Sequence, residues 1–335
     1  MYYESSYGYG DGSILINSII GLALFAAFGN DDMYIEKLIQ EPRHIEIQII
    51  ADQFGNVCHL SERDCSIQRR HQKLTEETPS PFMTSRLRDK MGKAAVKAAK
   101  FINYEGVGTV EFLVDSDRNF YFMEMNTRIQ VEHPVTELVT NNDLISMQIN
   151  FAFNRKNKFL NQNKVKTYGH SIECRVYAED PSQNFLPSPG KITKLKFPKI
   201  PNGIRLDWGY DERDEVSFYY DPMIGKIISH DLIRDDAISK LIKFLEGTQI
   251  EGIKTNIPFL ICLLKDKNFI EGKHNTKYIE NNLNTLISKT SFKNGFTKNI
   301  DLDSKRIKIV ETDKLKVGHG RSQSDRGGIK VVYFD

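Results

Sequence analysis

The sequence predicts an α+β fold in which antiparallel strands and helices build about two domains. The chain has 335 residues, of which 40% are hydrophobic and 27% are charged, so it can bury a substantial core. His44–Ile50 alternates polar and apolar residues, as a half-buried strand does, and a turn at Gln53–Asn56 returns it to Val57–Leu60. β-Branched and aromatic residues on both sides of a polar turn predict a second hairpin, from Gly108–Asp115 to Phe120–Asn126.

Helical periodicity marks four further segments. Ser85–Asn103 carries apolar residues at the spacing of one buried helix face, namely Leu87, Met91, Ala95 and Ala98. Asn142–Asn154 and Asp235–Leu245 are also predicted helices, and another ends near Leu264. Its cap is Thr255 or Asn256, and Pro258 lies in its first turn. Gly169–Ile228 is rich in strand-forming residues, whereas Asn157–Thr167 has the composition of a linker and is the predicted domain boundary.

Charge and cysteine content exclude several classes of protein. The net charge is +2 and the lysines are scattered rather than clustered, so no nucleic-acid partner is predicted. The four cysteines show neither paired nor metal-ligand spacing, which is typical of a reducing compartment. They are Cys58, Cys65, Cys174 and Cys262.

The apolar stretch Ile14–Phe28 does not predict a membrane anchor. It is too short to span a bilayer, and Asn17 and Ser18 interrupt it. The residues before it include Glu4 and Asp11 but no Lys or Arg, so we expect no secretory signal.

Glu111 and Glu124 are the most informative residues of the second hairpin. In the simplest four-residue loop Asp115 pairs with Phe120, and the same register places Glu111 directly opposite Glu124. Side chains at such positions lie about 5 Å apart, and like charges there are destabilising unless a cation lies between them. Asn126 points to the same face and adds a neutral oxygen, so the set suits Mg²⁺. An exposed hairpin with two solvated acids is the alternative.

The residues after Asn126 suggest a site for a small anion. If the strand continues, Arg128, Gln130 and Glu132 lie on the same face as Glu124. An Arg fork can bind an oxyanion through two hydrogen bonds, and Gln130 can orient it. Glu132 could then remove a proton as a general base.

Four motifs, in this order, resemble the biotin carboxylase component of the biotin-dependent carboxylases. They are Glu62–Lys73, Glu124–Glu137, Pro187–Lys191 and Tyr219–Lys226, and the resemblance extends over about residues 28–283. That family has the ATP-grasp fold. The resemblance therefore implies an ATP-grasp domain of antiparallel sheets and helices, followed by a β-rich biotin carboxylase C-terminal domain.

The resemblance also implies how the chain is divided. Residues 28–157 correspond to the ATP-grasp domain, and residues 167–285 to the C-terminal domain. Residues 1–27 form a divergent leader, and 286–335 a divergent tail whose composition predicts flexibility. Family members carry a further domain and a glycine-rich lid with a lysine before the matching region. We find neither here, because Gly8, Gly10 and Gly12 have no Lys nearby and are interpreted as a loop.

Site residues follow from the resemblance, position by position. Glu111, Glu124 and Asn126 would bind Mg²⁺ or Mn²⁺. Arg128, Gln130, Val131 and Arg205 would bind bicarbonate or biotin, and catalytic roles fall to Glu132, Arg128, Arg205 and Lys73. The residues expected to contact ATP are Glu36, Lys37, Ile39, His44, Gln68, His71, Glu111, Leu113 and Glu124.

Other residues inside the matching motifs are interpreted as structural. Arg175, Asp180, Lys191, Asp221 and Lys226 would form scaffold salt bridges or a dimer surface. Cys65, next to the site, is expected to pack rather than react.

The implied activity is ATP-dependent carboxylation of biotin by bicarbonate, through carboxyphosphate, in a carboxylase of the acyl-CoA type. Biotin would be carried on a domain elsewhere, and the expected partners are a biotin carboxyl carrier, a carboxyltransferase and a second copy of the chain. The expected location is the cytoplasm, or the mitochondrial matrix in a eukaryote. Two alternatives remain: a truncated relative that keeps the fold without turnover, and another ATP-grasp carboxylate ligase.

Overall fold

A computed structural model describes residues 38–153 and 161–290. The predicted leader, Glu36, Lys37 and nearly all of the predicted tail lie outside these residues. The strands are β1 (Arg43–Ala51), β2 (Val57–Arg69), β3 (Gln72–Thr78), β4 (Gly106–Val114), β5 (Phe120–Asn126), β6 (His170–Tyr177), β7 (Glu179–Asp180), β8 (Leu186–Pro187), β9 (Gly190–Lys191), β10 (Lys194–Lys196), β11 (Ile204–Trp208), β12 (Glu215–Val216), β13 (Met223–Asp231) and β14 (Gln249–Glu251). The helices are α1 (Ser85–Phe101), α2 (His133–Thr140), α3 (Leu144–Ala152), α4 (Arg234–Gly247), α5 (Ile257–Leu264), α6 (Lys267–Ile270) and α7 (Tyr278–Lys289).

One antiparallel sheet, called the main sheet below, organises the described part of the chain. Its eight strands follow the order β11-β13-β6-β3-β2-β1-β4-β5. Strands β1 to β5 precede the predicted linker and β6, β11 and β13 follow it, and β3 pairs directly with β6. The main sheet is therefore continuous across the predicted domain boundary.

The two faces of the main sheet differ in chemistry. On one face Ile45, Ile47 and Ile49 of β1 pack with Leu87 and Met91 of α1. Farther along, Ile172 and Val176 of β6 and Ile227 of β13 pack with Leu241 of α4 and Leu260 of α5. This apolar face supplies the burial that stabilises the sheet.

The opposite face is polar, and it is buried as well. His44, Glu46 and Gln48 alternate with the isoleucines of β1, but they are at most 7% exposed. The prediction that β1 is half-buried is therefore wrong. Helix α2 covers this face, with contacts to β2, β3, β6 and β13. This cover is not among the predicted elements, although Pro134 in the first turn of α2 is a sign of a helix start.

The hairpin of β4 and β5 has the predicted Glu111–Glu124 pair in a different loop. Val114, rather than Asp115, pairs with Phe120, so the register near the turn is shifted by one residue. Asp115 instead belongs to the turn, where its side chain accepts a hydrogen bond from the Asn119 backbone N–H at 2.8 Å. A register shift between Glu111 and Phe112 then restores the predicted pairing. Such a bulge re-aims the side chains that follow it.

The predicted helices are confirmed, with changes at their ends and faces. Helix α1 begins after its cap Thr84, and Ala99 rather than Ala98 is buried, because the helical repeat of 3.6 residues carries the stripe one position further. Helix α3 is shorter than predicted and is capped by Asp143. Asn256 precedes α5 as predicted, but its side chain bonds to the backbone of β6 instead of capping the helix. Among the described residues, no helix is both long and apolar enough to cross a membrane.

Met91→Ala is expected to lower the free energy of unfolding by about 2–5 kcal/mol, because it leaves a cavity beneath the main sheet. Met91 is completely buried, whereas Met123 is 41% exposed on β5. Met123→Ala is therefore the matched control, with an expected change within about 0.5 kcal/mol. Urea unfolding measures both, and equal losses would contradict the packing described here.

Candidate active site

A row of four charged residues crosses the polar face of the main sheet. Arg63 on β2 pairs with Glu46 on β1, Glu46 with Glu111 on β4, and Glu111 with Glu124 on β5. Directly paired residues project to the same side of a sheet. Three carboxylates and one guanidinium are thereby aligned, and the row is buried at Arg63 and open to solvent at Glu124.

Arg63 is the centre of a hydrogen-bond network. Its Nε donates to Glu46, and its Nη2 donates to Gln130 Oε1 at 2.9 Å. It also bonds to Gln48 and to the hydroxyls of Thr109 and Thr136. Neither Arg63 nor Glu46 was singled out from the sequence. The signal was present, since Glu46 follows His44 by two residues on an alternating strand and Arg63 lies inside the Glu62–Lys73 motif.

Lys73 lies among carboxylates. A register shift between β2 and β3 follows it, between Lys73 and Thr75. Its Nζ lies 2.7 Å from Glu46 Oε2, 2.6 Å from Glu132 Oε1 and 3.6 Å from Glu111 Oε1. Burial raises the pKa of Glu46, but the charges of Arg63 and Lys73 outweigh this effect and lower the pKa to about 2. Burial also raises the pKa of Glu111, but the hydrogen bond from His44 and the charge of Lys73 lower it to about 2. Both carboxyls are therefore ionised at neutral pH.

Glu111, Glu124 and Asn126 are close enough to share one cation. Asn126 Nδ2 lies 2.7 Å from Glu111 Oε1 and 3.0 Å from Glu124 Oε1, so a single atom can contact both carboxylates. Hard oxygen donors of this kind are what Mg²⁺ prefers, and the set fits such an ion. The amide nitrogen of Asn126 faces the two acids, because two anions attract a hydrogen-bond donor.

Some of the residues expected to contact ATP lie beside this carboxylate pair, while others do not. His44 Nε2 bonds to Glu111, and Gln68 Nε2 lies 3.2 Å from His44 Nδ1. Leu113 on β4 is the strand partner of His44. His71 is exposed in the turn between β2 and β3, with a positive φ of 65°, and Ile39 is half-buried before β1.

The predicted continuation of the strand beyond Asn126 is wrong. β5 ends there, and Glu132 is the residue before helix α2, whose first turn contains Pro134. Proline favours the first turn of a helix and cannot donate to a strand ladder. Arg128 is exposed and donates to Ile129 O at 3.2 Å, whereas Gln130 is buried and donates to Glu111 Oε1 at 2.6 Å. The turn thus brings Gln130 and Glu132, but not Arg128, into the network.

Arg175 and Lys226 hold this turn from the other half of the main sheet. Arg175 Nη2 donates to Glu132 Oε2 at 2.8 Å, and Lys226 Nζ donates to the carbonyl oxygen of Val131. The interpretation of these two as scaffold salt bridges fits their contacts, but the alternative of a dimer surface does not, since they are only 9% and 8% exposed. Local sequence patterns do not reveal these contacts, because the partners are far away in sequence.

Arg205 lies at the end of the site, on β11. It donates to Glu137 Oε2 at 2.6 Å and to both oxygens of Asp207, at 2.8 and 3.0 Å. Lys226 Nζ lies 3.3 Å from Asp207 Oδ2, which links Arg205 to the turn at Val131. Cys65 is fully buried near Lys73, and burial raises the pKa of its thiol well above the ordinary range, which agrees with packing.

Glu46→Gln should lower the free energy of unfolding by about 3–5 kcal/mol at neutral pH, because it leaves the buried Arg63 charge unpaired. The exposed pair of Asp89 and Lys93 offers the control, and Asp89→Asn should cost less than about 1 kcal/mol. A lowered folded-state pKa gives stability above the unfolded value of 4.5, which is lost as pH falls towards about 2. The deficit of Glu46→Gln in urea unfolding should therefore shrink over that range. A deficit no larger than that of Asp89→Asn would contradict the assigned ion pair.

Two family models match this chain. Residues 16–159 match the ATP-binding domain of the carbamoyl-phosphate synthase L chain, and residues 173–281 match the biotin carboxylase C-terminal domain. The first match begins before residue 28, where the resemblance seen in the sequence starts, and it ends near the predicted linker.

Curated relatives and solved structures agree with these matches. Biotin carboxylase 1 of Bacillus subtilis is 52% identical over 255 residues, which is 76% of this chain and 56% of that protein. The mitochondrial methylcrotonoyl-CoA carboxylase subunit alpha of Dictyostelium discoideum is 42% identical over 306 residues, 91% of this chain and 44% of that protein. The chain thus spans about half the length of these relatives.

A structural neighbour shows the same fold. The biotin carboxylase domain of the Hydrogenobacter thermophilus 2-oxoglutarate carboxylase, crystallised as a dimer with MgADP, ADP and bicarbonate, has a TM-score of 0.76 and 43% identity. The similarity covers 82% of this chain and 60% of that one. The fold is accordingly an ATP-grasp fold followed by a biotin carboxylase C-terminal domain. With its motifs, its buried ionic face and these matches in agreement, the chain belongs to the biotin carboxylase family.

Proposed function

We propose that this chain carries out the ATP-dependent carboxylation of biotin by bicarbonate, as the biotin carboxylase part of an acyl-CoA carboxylase. One observation carries the proposal. Glu132, at the start of α2, lies between Lys73 and Arg175, at 2.6 and 2.8 Å, on the same face of the main sheet as Glu111 and Glu124. A carboxylate base next to a lysine and beside a paired-carboxylate site suits the joining of bicarbonate to a phosphoryl group.

The nucleotide half of the reaction belongs to the β4–β5 hairpin and its neighbours. Glu111, Glu124 and Asn126 would hold Mg²⁺, which when bound neutralises charge on the phosphate oxygens of ATP. His44 orients Glu111 by a direct hydrogen bond, and Gln68 in turn contacts His44. These buried partners keep the carboxylate fixed, so little reorganisation is needed when the phosphates arrive.

Glu132 and Lys73 would act on bicarbonate. Glu132 takes the bicarbonate proton, and the resulting oxygen attacks the γ-phosphorus of ATP, which releases ADP and forms carboxyphosphate. Lys73 supplies a positive charge beside the reacting oxygens. Burial lowers the pKa of Lys73, but the surrounding acidic groups outweigh this effect and raise the pKa above its ordinary value. This positive charge therefore persists at neutral pH.

Arg205 would act in the second step, in which carboxyphosphate yields carbon dioxide to the ureido nitrogen of biotin. The guanidinium would stabilise the ureido oxygen as it becomes anionic. Burial lowers the pKa of Arg205, but its hydrogen bonds to Asp207 and Glu137 raise it above the ordinary value, and the two acids also fix its plane. Phosphate released from carboxyphosphate would remove the ureido proton.

The proposal includes partners and location. Biotin would be presented by a carrier domain, and the carboxyl group would pass to a carboxyltransferase. The acyl-CoA acceptor class is supported by the Dictyostelium relative, whose match extends over 91% of this chain, against 76% for the Bacillus enzyme. A homodimer is supported by the dimeric neighbour. The four free thiols favour the cytoplasm, or the mitochondrial matrix in a eukaryote.

ADP release from Mg·ATP by the purified chain tests the proposal directly. The rate should depend on bicarbonate and rise when free biotin is added, because each substrate acts in a different step. Glu132→Gln should remove the dependence on bicarbonate while leaving Mg·ATP binding in place. ATP hydrolysis that depends on neither bicarbonate nor biotin would count against the function. So would a purified chain that binds neither of these two substrates.

Glu124→Gln should abolish detectable Mg²⁺-dependent binding of ATP, because it removes one charge from the cation site. The fold should persist, since Glu124 is exposed and its loss relieves like-charge repulsion with Glu111. Calorimetric titration with Mg·ATP measures the loss, and Glu105→Gln, on the exposed loop before β4, serves as the control. Unchanged affinity in Glu124→Gln would contradict the metal assignment.

Arg205→Ala should separate the two steps. Bicarbonate-dependent ATP hydrolysis without biotin should persist within about threefold, whereas biotin carboxylation should fall by at least about 100-fold, as for loss of one donor to a developing oxyanion. The exposed Arg213 provides the control in Arg213→Ala. Equal loss of both activities would show that Arg205 serves the fold or the nucleotide site.

A further inference from the structure

Glu76 and Glu173 form a second pair of facing carboxyl groups, away from the solvent. Glu76 on β3 is the direct strand partner of Glu173 on β6. The same register continues through Ile228 on β13 to Arg205 on β11, so the pair lies on the polar face of the main sheet. Both side chains are completely buried. Like Glu111 and Glu124, these two residues face each other across neighbouring strands. Unlike Glu124, neither side chain is accessible to solvent.

The cations around the pair are already shared with other acids. Arg175 Nε donates to Glu76 Oε1, while Nη2 of the same residue donates to Glu132. Lys226 Nζ lies 3.9 Å from Glu173 Oε2 but bonds to the Val131 carbonyl oxygen. Within the described part of the chain, both oxygens of Glu173 and Oε2 of Glu76 have no hydrogen-bond partner. An ionised carboxylate buried in this way is strongly unfavourable unless a proton or a donor satisfies it.

We propose that Glu76 and Glu173 hold one proton between them at neutral pH and form a buried proton site behind Glu132. A shared proton gives each carboxyl a hydrogen-bond partner and removes the repulsion between two facing anions. Burial raises the pKa of Glu173 well above the ordinary glutamate range, and burial likewise raises that of Glu76. The positive charges of Arg175 and Lys73 lower the pKa of Glu76, and those of Lys226 and Arg175 lower the pKa of Glu173. The negative charge of Glu132 raises both pKa values.

Arg175 couples this proton site to Glu132. The guanidinium contacts Glu76 and Glu132 together, so a change of charge on either alters its interaction with the other. A proton taken up by Glu132 removes a negative charge and favours release of the shared proton, and the reverse holds by reciprocity. This coupling rests on the proposed role of Glu132 as the base, whereas the shared proton itself does not.

Glu173→Gln tests the shared proton, because the amide replaces a protonated acid of the same shape and can donate to Glu76. A folded-state pKa above the unfolded value gives stability that is lost as pH rises through the folded value. Wild type should therefore lose stability above the ordinary glutamate pKa, and Glu173→Gln should lose less. In urea unfolding, the variant should equal wild type near pH 5 and exceed it increasingly up to pH 9. Glu173→Gln less stable than wild type at pH 9 would overturn the proposal.

Glu77→Gln is the matched control, since Glu77 is equally buried on β3 but fully paired. Arg234 donates to both of its oxygens, and His170 Nε2 lies 2.7 Å away. Burial raises the pKa of Glu77, but His170 and Arg234 lower it below the ordinary range. Its replacement should lower the unfolding midpoint at pH 7, in contrast to Glu173→Gln. The same response from both variants would show that Glu173 is an ordinary ionised partner.

Infrared spectra of the full chain with ¹³C-labelled glutamate detect the proton directly. The carbonyl band of a protonated carboxyl group should persist at pH 7 in wild type and vanish in Glu173→Gln. If no such band is present, the proposal fails, whether or not the chain hydrolyses ATP.

The coupling is tested by the pH profile of bicarbonate-dependent ATP hydrolysis, in which Glu173→Gln should remove one inflection on the alkaline side. An unchanged profile in a variant that has lost the infrared band would overturn the coupling to Glu132.

Discussion

The ion pair of Arg63 and Glu46 is the interaction on which the site depends. Both side chains are inaccessible to solvent, so each charge is tolerated only because its partner is in place. Arg63 also bonds to side chains of β1, β4, α2 and the turn before it, and thereby fixes where Gln130 lies. Since Gln130 donates to Glu111, the geometry of the outer carboxylates follows from the innermost pair. The cost of burying charge is offset by bonds that also hold the site rigid.

The alternation of cations and acids across the main sheet explains how so many carboxylates can lie together. Lys73 contacts Glu46 and Glu132, and Arg175 contacts Glu132 and Glu76, so each cation is shared by two acids. Loss of one charge is therefore felt at the next acid along the chain of contacts. Such a network disfavours an anion that no cation accompanies, which agrees with the proposed binding of ATP together with Mg²⁺.

Much of this arrangement could be predicted from local sequence, and the failures share one physical cause. The strand alternation at His44–Ile50 was correct because it depends on a period that neighbouring residues determine. Glu111 and Glu124 face each other as predicted, but only because a bulge compensates for the shifted turn. The bulge beyond Phe112 and the shift beside Lys73 could not be predicted, since an extra residue in one strand is stabilised by packing. Arg128 lies off the strand because Pro134, two residues beyond Glu132, marks the start of a helix.

The contacts of Arg175 and Lys226 span long distances in sequence. Arg175 is 43 residues from Glu132 and Lys226 is 95 residues from Val131, and periodicity gives no information at such separations. The pairing of β3 with β6 brings these segments together. The first family match contains β3 and ends at residue 159, and the second begins at residue 173, within β6. Glu132 comes from the first and is held by Arg175 from the second, so neither region builds the proposed base alone. The continuous main sheet, rather than the linker between the two matches, therefore sets the distance between the Glu111 half and the Arg205 half of the site.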